Sequence, residues 1–267
     1  MGITLQKLEE LRGRGLFAAG CRVLDIGSSN LYSADRDGLR SFLARYGVSP
    51  DDTSINQISN GSGYGPAGGA NQSFIGEVLE QAGLTYLSFD IAKGYRTRIF
   101  DLNTERIPDD LMSSFDTVLN FGTTEHVFDQ LNAFRVIHDA TKVGGYIVHD
   151  LPMSGYVDHG YFCYTPRFLF DLSGHNEYEV IDFAYQGPVA GNDIYGIVRD
   201  YTAYFPALAN KLPEYRTDFW SRLNRKLKRK LPEVRPDNIS LYLVLRKVKE
   251  GPLKMPYDTS TSVHVAA

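Results

Sequence analysis

The chain has 267 residues, of which 43% are hydrophobic and 22% charged, and its formal net charge at pH 7 is −4. These values are ordinary for a soluble globular protein, and the weak negative charge gives no reason to expect a polyanionic partner. No apolar run approaches the roughly 18 residues needed to span a bilayer. Cys21 and Cys163 are too few for a disulfide framework, so we expect a cytoplasmic location.

Helical spacing of apolar residues predicts a short helix behind Thr4, and the run VLDI at 23–26 predicts a buried strand that ends in small residues. The stretch ADRDGLRSFLARYG from Ala34 predicts a second helix. A polar, glycine-rich loop insertion is expected over 48–72, before a further helix in SFIGEVLEQAG from Ser73.

From residue 85 onward, predicted strands alternate with helices. The strands are TYLSFDI (85–91), TRIFDLN (97–103), DTVLNFG (116–122), YIVHDLP (146–152), YEVIDFAYQG (178–187) and ISLYLVLRKV (239–248), with a long helix over 125–145. This alternation indicates βαβ units in an α/β, doubly wound and mainly parallel sheet with helices on both faces. We expect one domain over 1–250, with a helical cap inserted at 190–237 and a flexible tail at 251–267.

The segment from Gly63 to Gly68 matches the dinucleotide-binding pattern G-x-G-x-x-G, and Asp90 follows roughly twenty positions later, as that pattern also requires. The glycines of such a site must lie between a buried strand and a helix. The preceding run SPDDTSINQISN is polar and predicts no strand. We therefore interpret this segment as a loop and not as a nucleotide site.

Polar side chains follow four of the predicted strands. They are Asp25 with Gly27-Ser28-Ser29-Asn30, then Asp90, then Asp101, and finally Asn120-Phe121-Gly122. The carboxyl ends of parallel strands share one edge of the sheet, where open α/β proteins bind their ligands. A carboxylate at the second strand can accept hydrogen bonds from both ribose hydroxyls. The sequence therefore predicts a nucleotide-type site at this edge.

The combination of VLDIGSSN, YLSFDI, IFDLN and FDTVLNFGTTEHVFD…VIHDATKVGGYIVHDLP resembles the class I S-adenosylmethionine-dependent methyltransferases. The resemblance covers roughly residues 20–185 and the strand near 240. It implies a Rossmann-like, seven-stranded sheet with a reversed last hairpin, and S-adenosyl-L-methionine as the methyl donor. Two features depart from the family pattern: Ser28-Ser29-Asn30 replaces the usual second glycine, and the interval from Gly27 to Asp90 is unusually long.

The resemblance also implies roles for individual residues. Asp25, Gly27, Ser28, Ser29 and Asn30 would lie at the amino-acid part of the donor, Asp90 and Ile91 at the ribose, Asp101 and Leu102 at the adenine, and Asn120, Phe121 and Gly122 near the sulfonium.

A hydroxyl acceptor needs a base with a pKa near neutrality, in addition to alignment with the donor. His159 is the first candidate because its loop follows the fifth strand, where acceptor sites open in this fold. The other candidate bases are His126 at a helix start and Asp150 at a strand end. His149 lies inside a predicted strand, where it could equally be a core histidine. The histidines lack the i, i+4 spacing of metal ligands and the carboxylates are assigned to the donor, so no metal site is predicted, while a divalent ion supplied with the oxygens of an acceptor stays open.

By resemblance, the absence of an N/D-P-P-Y/F tetrad after the fourth strand argues against enzymes that methylate the amino groups of adenine or glutamine. The leading hypothesis is a methyltransferase acting on a small polar molecule, with a hydroxyl of a sugar, glycan precursor or secondary metabolite as the favoured acceptor. RNA or protein methylation stays open, and the basic segment 221–230 is the one sequence feature that supports it. So does a non-catalytic binding protein. We expect a small-molecule acceptor and no membrane partner, do not favour nucleic acid as a partner, and leave a homodimer open.

Overall fold

The computed structural model describes residues 2–32, 34–60, 73–156, 159–188, 195–198 and 238–257. The strands are β1 (Gly2–Thr4), β2 (Arg22–Ile26), β3 (Asn30–Tyr32), β4 (Thr85–Asp90), β5 (Thr97–Ile99), β6 (Phe115–Phe121), β7 (Thr141–Ser154), β8 (Glu179–Pro188), β9 (Tyr195–Val198) and β10 (Ile239–Arg246). The α-helices are α1 (Leu5–Gly13), α2 (Arg36–Ala44), α3 (Asp52–Asn60), α4 (Ile75–Gln81), α5 (Gln130–Ala140) and α6 (Pro166–His175). Short 3₁₀ helices occupy Asp109–Leu111 and Thr124–His126.

The main sheet has the strand order β5-β4-β2-β6-β7-β10-β8-β9. The first five strands of this order are parallel, whereas β10 runs antiparallel to both of its neighbours, β7 and β8. The predicted seven strands with a reversed last hairpin are therefore all present, and β9 adds an antiparallel eighth strand at the edge.

Two apolar layers cover the sheet, one on each face. Successive side chains of a strand point to opposite faces, so in β2 Val23 packs in the layer with α1, α2 and α4, while Leu24 packs in the layer with α5 and α6. Because both faces are covered, the central strands are apolar almost throughout. This explains why continuous apolar runs located the central strands correctly.

Side chains at the helix starts explain where several helices begin. Thr4 accepts a hydrogen bond from the backbone N–H of Lys7 and confirms the predicted helix α1. The Asp129 carboxylate accepts the N–H of Asn132 at 2.9 Å and begins α5. Each cap satisfies a backbone donor that the first helical turn cannot pair internally.

Several predicted boundaries were wrong. The single helix expected over 125–145 is a 3₁₀ turn, then α5, and then the start of β7, because the backbone from Thr141 onward joins the sheet opposite Phe115. The expected loop at 48–72 contains helix α3 in its described part. Helix α6 and the two-stranded sheet of β1 and β3 were not predicted.

The predicted helical cap at 190–237 lies outside the described residues except for β9, as do the basic segment 221–230 and the tail beyond 257. The single-domain boundary therefore stays a prediction. Among the helices that the structure describes, none is long and apolar enough to cross a membrane.

Candidate active site

A cavity of about 450 Å³ opens at the carboxyl ends of β2, β4 and β6, and we call it the donor-side cavity. The stacked rings of Phe89 and Phe100, with centroids 4.2 Å apart, form part of its wall. Its lining residues are Gly27, Phe89, Asp90, Ile91, Phe100, Asp101, Leu102, Asn103, Gly122, Thr123, His126, Val127 and His159. Six of the residues predicted to bind the donor thus meet at one edge of the sheet: Gly27, Asp90, Ile91, Asp101, Leu102 and Gly122.

The loop after β2 is held from beneath by the buried carboxylate of Asp25. Asp25 accepts hydrogen bonds from the backbone N–H of Ser29 at 2.6 Å, from the Ser29 hydroxyl at 3.0 Å and from the Tyr86 hydroxyl at 2.7 Å. Burial raises the pKa of Asp25, and these three donors oppose that shift. Asp25 and Ser29 are absent from the cavity lining, so their place in the structure is to shape the loop.

Gly27 brings this loop close to the turn after β6. Its φ is +96°, and a Cβ atom at position 27 would lie 2.9 Å from Cβ and Cγ2 of Thr123 and closer still to Oγ1. Thr123 also donates its hydroxyl to the carbonyl of Ile26 at 2.6 Å. Only glycine fits both the backbone conformation and the contact, and it leaves bare backbone at the cavity.

The other two residues of the predicted first motif are engaged elsewhere. Ser28 is buried and its hydroxyl accepts a hydrogen bond from Thr97 at 3.3 Å. Asn30 lies in β3, paired with Gly2, and its side chain contacts the carbonyl of Ser73 at 3.5 Å. Neither lines the donor-side cavity, so a direct donor contact stays a prediction for both.

The second and third strand ends supply the acids of the donor-side cavity. Asp90 accepts the backbone N–H of Ala92 through Oδ1 at 2.9 Å, and the adjacent Ile91 is 76% exposed although it is a large apolar residue. The Asp101 carboxylate accepts the backbone N–H of Asn103 at 2.8 Å, and the hydrogen bonds from Asn103 lower the pKa of Asp101. Asp101 therefore both lines the cavity and orders its own turn.

The three predicted site residues at the end of β6 lie in different places, one in the core and two at cavities. Asn120 is buried and donates through Nδ2 to the Thr124 hydroxyl at 3.0 Å, with His149 Nδ1 3.1 Å away. Burial lowers the pKa of His149 to about 3, so His149 is a neutral core histidine with a hydrogen-bond partner. Phe121 faces away from the donor-side cavity, whereas Gly122 borders it.

A second cavity, also of about 450 Å³, lies across Gly122, and we call it the acceptor-side cavity. It is rich in polar side chains from separate parts of the chain. Its lining residues are Gly2, Thr4, Tyr32, Phe121, Gly122, Glu125, Asp150, Pro152, Tyr156, His159, Gln186 and Ser240. The two cavities share Gly122 and His159 among their lining residues.

Asp150 ends the central part of β7 and faces the acceptor-side cavity. Its Oδ2 accepts a hydrogen bond from Gln186 Nε2 at 2.9 Å. Burial raises the pKa of Asp150 to about 6, against the opposing effect of the nearby Lys7 charge. Asp150 is thus ionised at neutral pH yet able to accept a proton.

Glu125, which the sequence prediction omitted, lies with His126 and His159 where the two cavities meet. His159 Nε2 is 3.5 Å from Glu125 Oε1, and His126 Nε2 is 4.0 Å from the same oxygen. Burial raises the pKa of Glu125 to about 7 and lowers that of His126. The position of Glu125, four residues after the end of β6, could have marked it as a candidate site residue. Its contact with His159 could not be predicted in this way, because that contact depends on the path of a later loop.

No model of a known protein family matches the sequence, and a search of curated proteins finds no significant match. Solved structures do match. An S-adenosylmethionine-dependent methyltransferase from Archaeoglobus fulgidus aligns over 91% of this chain and 93% of its own, with 14% identity and a TM-score of 0.47. One from Mesorhizobium loti aligns over 90% and 97%, with 14% identity and a TM-score of 0.38. The Burkholderia thailandensis 1,6-didemethyltoxoflavin-N1-methyltransferase aligns over 92% and 78%, with 12% identity and a TM-score of 0.44.

Because these TM-scores are below 0.5, the fold assignment rests on the described sheet. Five parallel strands, a reversed hairpin with β10 inserted between β7 and β8, and a cavity at the carboxyl ends of the first strands agree with the arrangement that the sequence motifs imply. The described residues have the doubly wound sheet that the resemblance to class I methyltransferases implies.

Proposed function

We propose that the protein is an S-adenosylmethionine-dependent methyltransferase that acts on a hydroxyl of a small polar molecule. The observation that carries this proposal is the meeting of the donor-side and acceptor-side cavities at Gly122 and His159. In-line transfer needs the donor and the acceptor on opposite sides of one point, held in contact. Two cavities that share lining residues at the carboxyl edge of the sheet support that arrangement.

The residues of the donor-side cavity fit the proposed donor. Asp90 offers a carboxylate for two ribose hydroxyls, while Phe89 and Phe100 offer apolar surface for the adenine. Gly27 borders the cavity with bare backbone, and a Cβ atom at this position would clash with Thr123. When bound, S-adenosylmethionine supplies a methyl group on a positively charged sulfur, which makes the carbon electrophilic.

The residues of the acceptor-side cavity fit a hydroxylated molecule. Tyr156, Gln186 and Ser240 provide donors and acceptors there, and Glu125 and Asp150 provide carboxyl groups. A volume of about 450 Å³ falls within the range of cavities that bind small organic ligands. The polar lining supports a sugar-like or polyhydroxylated acceptor over an apolar one.

The transfer forms a carbon–oxygen bond as the carbon–sulfur bond breaks, so the hydroxyl proton must leave the acceptor. Asp150 and His159 both line the acceptor-side cavity and are the candidate proton acceptors. His126 lines the donor-side cavity instead, so it is a weaker candidate for the proton acceptor than Asp150 or His159. The products are a methyl ether, S-adenosylhomocysteine and a proton held by the protein.

Calorimetric titration with S-adenosylhomocysteine tests the donor site. We expect saturable binding that Asp90→Ala weakens by roughly 10- to 100-fold, because a hydrogen bond to a charged group contributes about 1.5–3 kcal/mol. The matched control is Asp109→Ala, an exposed acid outside both cavities, which should leave the affinity unchanged. Absence of binding by both S-adenosylmethionine and S-adenosylhomocysteine up to about 1 mM would refute the proposal.

Transfer itself is tested with a donor carrying a labelled methyl group, offered with a panel of sugars, sugar nucleotides and phenols. We expect label in a hydroxylated member of the panel, with transfer by Asp90→Ala reduced when the donor concentration is limiting. Saturable binding to RNA that falls steeply with salt, together with label in RNA and none in the panel, would favour the nucleic-acid alternative.

A further inference from the structure

Three potential ligand atoms from Glu125, His126 and His159 lie within 4.8 Å of one another at the boundary of the two cavities. Glu125 and His126 are neighbours in the 3₁₀ helix after β6, whereas His159 comes from the loop after β7. The His126 and His159 rings meet edge to face, with centroids 4.8 Å apart. The cluster therefore joins two separate segments of the chain around one carboxylate.

Glu125 is buried without a hydrogen-bond partner for its carboxylate. Its side chain is 1% exposed, and neither Oε1 nor Oε2 has a hydrogen bond within the described part of the chain. An isolated buried carboxylate is costly unless a cation or hydrogen-bond donors compensate it. The other buried acid near the site, Asp25, has three hydrogen-bond donors. Within the described residues Glu125 has none, and the His159 and His126 imidazoles lie 3.5 and 4.0 Å from its Oε1, so the three side chains are placed to share a cation.

The backbone holds His159 in place over Glu125. The N–H groups of Tyr161 and Phe162 donate to the carbonyl of Glu125 at 2.8 and 3.2 Å. Between them and His159, a Cβ atom at Gly160 would lie 2.9 Å from that carbonyl oxygen and from Cγ of Glu125. The loop can approach this closely only because residue 160 is glycine. The contact between His159 and Glu125 is therefore built by the main chain.

We propose that Glu125, His126 and His159 bind a divalent first-row transition-metal ion such as Zn²⁺ or Mn²⁺. Two imidazoles and one carboxylate form a ligand set typical of such ions, and three protein ligands leave coordination positions open. Glu125 Oε1 and His159 Nε2, 3.5 Å apart, subtend roughly 115° at an ion about 2.1 Å from each. This angle is close to tetrahedral.

His126 needs a small movement to complete the set. Its Nε2 is 4.0 Å from Glu125 Oε1, and tetrahedral coordination would shorten this separation to about 3.4 Å. The side chains of His126 and His159 are 42% and 37% exposed, so rotation can supply the difference. Burial and the neighbouring His159 also lower the pKa of His126, which favours the neutral imidazole that metals bind.

The consequence for transfer rests on the proposed function. An ion at the boundary of the cavities would hold an acceptor oxygen next to the donor and lower the pKa of its hydroxyl. This assignment gives His159 to metal binding and leaves Asp150 as the proton acceptor in the acceptor-side cavity.

The test uses the full chain stripped with EDTA, dialysed, and titrated separately with ZnCl₂ and MnCl₂ in a calorimeter. We expect one site per chain with a dissociation constant for Zn²⁺ below about 10 µM, weakened about 100-fold or more in Glu125→Gln and His159→Gln. With CoCl₂, His126→Gln should change the visible absorption. The matched control is His175→Gln, since His175 lies on α6 outside the cluster and should leave the affinity unchanged.

Two further measurements keep the test decisive. Glu125→Gln removes an uncompensated buried charge, so the unfolding temperature of the metal-free variant should equal or exceed that of the metal-free wild type. No saturable binding of either metal below about 1 mM, or equal binding by wild type, Glu125→Gln and His159→Gln, would overturn the proposal. Binding of S-adenosylhomocysteine to the stripped protein without metal binding would remove the metal site alone. Metal binding without donor binding would instead remove the proposed function.

Discussion

Replacement of Gly27 by alanine tests whether the close packing of the first loop shapes the donor-side cavity. Gly27 has φ +96°, and an added Cβ would clash with Thr123. Gly83 provides a matched control, because its φ is +83° but no atom lies within 4 Å of the position of its Cβ. The two substitutions share the backbone strain and differ in the contact.

The difference can be estimated from the structure. Alanine in the left-handed region costs roughly 1–2 kcal/mol at either position. At position 27 the Thr123 side chain must also move and lose its 2.6 Å hydrogen bond to the Ile26 carbonyl, which adds about 1 kcal/mol or more. We therefore expect Gly27→Ala to lower the free energy of unfolding by about 2–4 kcal/mol, and Gly83→Ala by about 1–2 kcal/mol.

Urea unfolding at equilibrium measures the stabilities, and calorimetry with S-adenosylhomocysteine measures the donor site. Gly27→Ala should weaken binding by about tenfold or more, because a displaced loop loses its backbone contacts with the ligand, while Gly83→Ala should bind as the wild type does. Equal destabilisation by both substitutions together with unchanged donor affinity in Gly27→Ala would refute this reasoning.

Three further predictions concern stability. Asp25→Ala should lower the free energy of unfolding by about 3–5 kcal/mol, because it leaves the Ser29 and Tyr86 donors buried without an acceptor; Tyr86→Phe should cost much less, and equal losses in urea unfolding would contradict the assigned hydrogen bonds. The folded-state pKa of Asp150, raised from 3.8 to about 6, means that the folded protein keeps a proton which the unfolded chain releases. Its contribution to stability is therefore present below about pH 4 and lost as the pH rises towards 7, so wild type should lose up to about 3 kcal/mol relative to Asp150→Asn over this range; parallel stability–pH curves would show that the pKa is not raised. Asp129→Ala should cost about 1 kcal/mol by removing the cap of α5, and an unchanged urea midpoint would show that the cap contributes little.

The sequence by itself determined the seven predicted strands of the main sheet and six residues that line the donor-side cavity. Val23, Leu24 and Ile26 form an apolar run because both faces of their strand are covered, and this signal is local. Asp90 and Asp101 could be assigned to one edge because parallel strands place their carboxyl ends together. The pattern match at Gly63 was interpreted as a loop because no strand is predicted before it, and its segment lies outside the described residues, so this stays a prediction.

Other assignments required the tertiary structure. Asp25 precedes Gly27 by only two residues, yet alternation along β2 turns its side chain beneath the loop, where Tyr86 donates to it. His149 meets Asn120 across two neighbouring strands, and this partner explains why it belongs to the core. Neither spacing nor composition indicates such pairings, because they depend on strand register.

The cluster of Glu125, His126 and His159 shows most clearly what could not be predicted from the sequence. The histidine spacing gave no reason to expect a metal site, since helical ligand patterns are local and these residues come from two segments. Two backbone hydrogen bonds and the missing side chain of Gly160 bring the later segment onto Glu125. The sequence determined which strand ends form the edge of the site, while the folded path of a loop decided which side chains meet there, because that contact is made between residues distant in the chain.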